Sequence, residues 1–71
     1  MEMVALHRSR AVAEVGYDPD RRALRVRFRH GGLYEYRAVP PEVFLGLLDS
    51  AHPWTEWQEH IKATYDCDRL E

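Results

Sequence analysis

The sequence predicts an α+β fold: a three-stranded antiparallel β-meander followed by two α-helices packed on one of its faces. Three observations lead there. The apolar period is close to two from Ala11 to Val39 and close to helical from Pro41 to Tyr65. Asp18-Pro19-Asp20 and His30-Gly31-Gly32 punctuate the first half as turns. Pro40-Pro41 stands where the period changes, and a proline fits the first turn of a helix because its missing N–H has no partner there anyway.

The first strand spans 11–18, with Ala13, Val15 and Tyr17 alternating against Val12, Glu14 and Gly16. The second spans 23–29 and sets Leu24, Val26 and Phe28 against Arg25, Arg27 and Arg29. The third spans 33–39, with Tyr34, Tyr36 and Ala38 against Leu33, Glu35 and Arg37. Directly opposed residues of paired strands share a face, so the turns decide which side each residue takes. A four-residue loop at 19–22 pairs Tyr17 with Leu24 and Val15 with Val26. A three-residue loop at 30–32 pairs Phe28 with Tyr34, Val26 with Tyr36 and Leu24 with Ala38. Both choices unite the apolar groups. The opposite face then carries Glu14, Arg25, Arg27, Arg29, Glu35 and Arg37, with Arg27 opposite Glu35 and Arg25 opposite Arg37. The first helix starts at Pro41 and turns Val43, Phe44, Leu47 and Leu48 to one side, with Gly46 as a mild weakness. Ser50-Ala51-His52-Pro53 breaks it. The second helix runs from about Pro53 to Tyr65, with Trp54, Trp57, Ile61 and Tyr65 on one stripe. Asp66-Cys67-Asp68 reads as a polar exit.

Composition narrows the function classes. Seventy-one residues make one domain, 1–71, and a core of this size often gains from self-association. Hydrophobic residues form 45% of the chain and charged ones 31%, which excludes a disordered charged tail. No apolar run reaches the roughly 18 residues of a membrane span. Met1 to Arg10 has no apolar core of the signal-peptide kind. The single cysteine, Cys67, has no partner within the chain for a disulfide, and the expected location is the cytoplasm. The formal charge of −2 hides an asymmetry: residues 7–37 hold eight arginines and four acids, and residues 38–71 hold two cations and seven acids. Arginine outnumbers lysine nine to one, a bias that suits phosphate and stacking and that a GC-rich genome also produces.

The chain resembles the KTSC family, named for the C-terminal domain of some lysyl-tRNA synthetases. The likeness runs over residues 9–65. It comprises Val15-Gly16-Tyr17-Asp18, Leu24-x-Val26-x-Phe28, Gly32-x-Tyr34-x-Tyr36, Val39-Pro40, Val43-Phe44, Leu47-Leu48-x-x-Ala51, Ile61-Lys62 and Tyr65. The Tyr-x-Tyr followed by Val-Pro is its most specific part. Family members often place Ser-x-Gly before the last helix, where this chain has His52-Pro53-Trp54. A role tied to that serine or glycine does not carry over. The synthetase fusion implies RNA binding as the activity.

On this reading the domain is a non-catalytic accessory module for RNA, tRNA included. Arg25, Arg27, Arg29 and Arg37 line a phosphate track, with Arg8 or Arg10 as peripheral help. Tyr34 and Tyr36 are the candidates for base stacking. Alternating arginine is also the ordinary solvent face of an antiparallel sheet, and the register sets both tyrosines on the packed face, where they serve as core. Trp54 and Trp57 read as core by their spacing. The alternative function is a protein-interaction module, most simply a homodimer joined along the outer strands, with Trp54 and Leu33 as exposed apolar contacts. No cofactor or metal is expected, since His52, His60 and Cys67 match no zinc spacing. No phosphate loop, nucleophile elbow or carboxylate dyad points to catalysis.

Overall fold

A computed structural model describes all residues, Met1–Glu71. The chain runs β1 (Met3–Ala5), β2 (Val12–Asp18), β3 (Ala23–Phe28), β4 (Leu33–Tyr36), α1 (Pro41–Asp49), α2 (Pro53–Thr64) and β5 (Cys67–Arg69). The five strands form one antiparallel sheet in the order β1-β2-β3-β4-β5. The α+β class, the central meander and both helices therefore stand, and the three-stranded sheet is corrected to five strands.

The first hairpin has the expected register, with Tyr17 opposite Leu24, Val15 opposite Val26 and a loop at 19–22. A bulge between Val12 and Glu14 then moves Val12 opposite Phe28, on the core side, where it is completely buried. Strict alternation had set Val12 on the other face.

The second hairpin keeps a three-residue loop but places it at 29–31, closed by the Phe28 N–H to the Gly32 carbonyl at 3.1 Å. Gly31 and Gly32 take φ of +114° and +93°, which side-chain-bearing residues rarely adopt. The pairing becomes Leu24 with Tyr36, Arg25 with Glu35, Val26 with Tyr34 and Arg27 with Leu33. This is two residues from the expected register. A slip of two preserves faces, so the apolar side survives while every cross-strand partner changes. The like-charge pair Arg25–Arg37 disappears, and Arg25 meets an acid instead.

β4 stops at Tyr36 rather than Val39, because Ala38 takes a left-handed φ of 56° and the Val39 N–H turns to the Arg22 carbonyl. The expected polar exit is β5. It pairs Tyr34, Glu35 and Tyr36 with Arg69, Asp68 and Cys67. β1 pairs with β2 at the other side.

Both helices cover the apolar face. Val15, Leu24, Val26 and Val12 from the sheet meet Val43 and Leu47 of α1 and Trp54 and Ile61 of α2 in one core cluster. Each fully buried side chain of this size contributes about 1.5–3 kcal/mol. Tyr17 anchors the sheet to the start of α1: its hydroxyl donates to the Val39 carbonyl and its ring stacks on Phe44 at 5.5 Å. Gly46 lets α1 and α2 touch, since a Cβ there would overlap the Trp57 indole. No helix is long and apolar enough to cross a membrane.

Candidate functional site

The sequence-predicted site splits across the sheet. Arg25 and Arg27 project from β3 on the face away from the helices, while Tyr34 and Tyr36 of β4 lie on the helix side, opposite Val26 and Leu24.

The four arginines of the expected phosphate track, Arg25, Arg27, Arg29 and Arg37, all have partners. Arg25 Nε donates to Glu35 Oε1 at 3.0 Å, and Arg21 Nη2 to Glu35 Oε2 at 3.1 Å. Arg27 pairs with Glu14 at 3.3 Å and Glu71 at 3.4 Å, and Arg37 with Asp68 at 3.6 Å. Arg29 lies apart from them. Its Nε and Nη2 donate to the Ser9 and Leu6 carbonyls, each at 2.9 Å, and so fasten the segment between β1 and β2 to the second hairpin. Glu35 is itself buried. Its hydrogen bond from Arg25 holds its carboxyl below the ordinary range, with Arg21 adding to this and burial opposing it. The outer face thus balances four guanidinium groups with four carboxylates.

The tyrosines are different. Beside α2, against β4 and β5, lies a recess of about 400 Å³ lined by Phe28, His30, Tyr34, Tyr36, Lys62, Tyr65 and Cys67. No acid lines it, in a chain with 12 acids. Phe28 meets Tyr34 edge-on at 5.5 Å and stacks with His30 at 5.8 Å. The Arg69 guanidinium stands 5.7 Å from the centre of the Tyr34 ring. Burial, with help from Cys67 and Tyr34, pushes the Tyr36 hydroxyl up to about 12. Aromatic walls suit a neutral planar ring, and the lysine among them suits an anionic group attached to that ring.

Tyr34 and Tyr36 were legible as candidates; His30, Lys62, Tyr65 and Cys67 were not. They come from a turn, a helix end and an edge strand that only folding unites. No three His, Cys, Asp or Glu side chains converge in a way that could hold a metal. Two expected exposed contacts need correction. Trp54 is 5% exposed and Leu33 6%. Trp54 packs edge-on against Phe28 at 5.2 Å, and Leu33 exchanges backbone hydrogen bonds with the chain end beyond β5. The outer edges of the sheet are β1 and β5 rather than β2 and β4.

The KTSC domain model matches residues 8–65. A protein of Stutzerimonas stutzeri is 48% identical over 50 residues, covering 70% of this chain and 69% of its own. A protein of Tsukamurella paurometabola is 50% identical over 40 residues, covering 56% of this chain and 60% of its own. The crystal structure of a KTSC domain protein from Yersinia pestis superposes with a TM-score of 0.90 at 26% identity, over 99% of this chain and 97% of that one. Order, spacing and fold agree from the first hairpin to Tyr65, and the chain belongs to the KTSC domain family.

Proposed function

We propose that this chain is a non-catalytic accessory domain for single-stranded RNA, and that the base contact is the aromatic recess rather than the arginine face. The observation that carries this reading is the acid-free recess itself, with Tyr34, Tyr36 and Tyr65 around it and Lys62 on its wall. Bases of single strands stack on aromatic side chains at about 1–3 kcal/mol each, whatever their sequence. A cation beside the ring favours the anionic strand over a neutral aromatic. The arginines of the outer face already hold carboxylates, and a phosphate would have to displace these first. RNA binding also accords with what the family resemblance implies.

Fluorescence titration with an oligouridylate at two salt concentrations tests it, with Trp54 as reporter because Phe28 and Lys62 of the recess both adjoin its ring. Binding should weaken steeply with salt. Lys62→Glu should lower affinity about tenfold or more, while Arg27→Gln with Arg37→Gln leaves it within about twofold. The opposite pattern returns the contact to the arginine face. Absence of binding at low salt rejects the RNA reading.

A homodimer is the second reading. It is favoured by Leu45 and Leu48, which α1 leaves 60% and 38% exposed. It requires a mass that rises with concentration in light scattering, and a strictly monomeric protein at high concentration counts against it.

A further inference from the structure

A second acid-free concavity lies between the segment that joins β1 to β2 and the first turns of α2. Its volume is about 520 Å³. Arg8 and Arg10 line it from the joining segment, and His52, Trp54, Thr55 and Gln58 from α2 and its cap. Two features mark it, although Arg22 elsewhere is also exposed and unpaired. Arg8 and Arg10 are exposed and make no ion pair or hydrogen bond, whereas Arg21, Arg25, Arg27, Arg29 and Arg37 all do. The backbone that carries them is also fixed. Ser9 Oγ accepts the Val12 N–H at 2.9 Å, and Arg29 grips the Ser9 and Leu6 carbonyls at 2.9 Å. Two unspent guanidinium groups on a braced segment form a prepared anion site, because little backbone freedom is lost on binding.

We propose that this concavity binds phosphate groups through Arg8 and Arg10. Its identity as the backbone subsite for a strand whose base fills the recess rests on the functional reading above. One wall joins the two concavities. Trp54 lines this one, while its ring meets Phe28 at 5.2 Å and Lys62 Nζ at 5.7 Å, both of which line the recess. A strand can therefore pass Trp54 with a base on one side and phosphates on the other.

The test is an amide-resolved NMR titration of the full chain with inorganic pyrophosphate at low ionic strength, then with a uridine hexanucleotide. Pyrophosphate should shift the Ser9, Arg10 and Thr55 signals and leave Tyr34 and Cys67 in place. The double variant Arg8→Gln, Arg10→Gln should lose those shifts with its thermal midpoint unchanged. Where the hexanucleotide binds, the variant should also weaken it about tenfold and lower its log–log salt slope by roughly 1–1.5, the loss of two single-strand phosphate contacts. Pyrophosphate shifts that are absent, or that survive in the variant, overturn the site. If the hexanucleotide moves the recess signals while pyrophosphate moves nothing, the phosphate site fails and the recess reading stands. If pyrophosphate behaves as expected and the hexanucleotide leaves the recess unmoved, the phosphate site stands and the base reading fails.

Discussion

Glu35 organises the outer face of the sheet, because one buried carboxylate receives both Arg21 and Arg25. Its depressed folded-state pKa means that its contribution is present above the ordinary carboxylate value of 4.5 and is lost as pH falls through the folded value. Glu35→Gln should cost about 1–2 kcal/mol at neutral pH, since charged hydrogen bonds to both arginines are weakened. It should also flatten the stability loss below pH 4.5, which denaturant titrations at several pH values would measure. Tyr36 behaves in the opposite direction. Between its ordinary value of 10.0 and its folded value of about 12 the unfolded chain releases a proton that the native chain keeps. Stability should thus fall as pH rises through that interval, and the last tyrosinate absorbance should appear near pH 12. Tyr17→Phe should cost about 1 kcal/mol by removing the hydrogen bond to Val39.

At the scale of elements, Gly46 decides how closely the helices approach. Alanine there would raise helix propensity by about 1 kcal/mol. It would also drive a Cβ into the Trp57 indole, and overpacking costs roughly 1–3 kcal/mol. Strain should win, so Gly46→Ala lowers the thermal midpoint, by about 4–8 °C per kcal/mol for a chain of this size. The glycine looked only like a weak point of a helix because the close approach is not a local property. The same distinction separates the elements that sequence made legible from those it did not. β2, β3 and both helices have enough residues to show a period, and Pro40-Pro41 and Pro53 mark the helix starts. β1 and β5 have three residues each, too few to alternate, and exist because neighbours offer unpaired backbone groups. The hairpin register missed by two for a related reason: hydrophobic pattern separates faces, and a shift of two leaves the faces unchanged.

At the scale of the whole molecule, the sheet divides polar work between its faces. One side neutralises arginine with carboxylate, which makes it cohesive. The other keeps aromatic and cationic groups clear of acids in two concavities, and Trp54 lines one of them while touching Phe28 and Lys62 of the other. Net charge hid this, and so did the charge count along the chain, because Glu71 and Asp68 return from the far end to Arg27 and Arg37. The candidate tyrosines were visible as residue types; their companions His30, Lys62, Tyr65 and Cys67 were not, because no spacing links them. The most direct measurement is the affinity of Tyr34→Leu for an oligouridylate beside that of the unaltered chain, at matched stability and low salt. Loss of a stacking platform should weaken binding roughly tenfold, as about 1–3 kcal/mol per base implies. Equal affinities for the two proteins would contradict the recess as the contact for RNA.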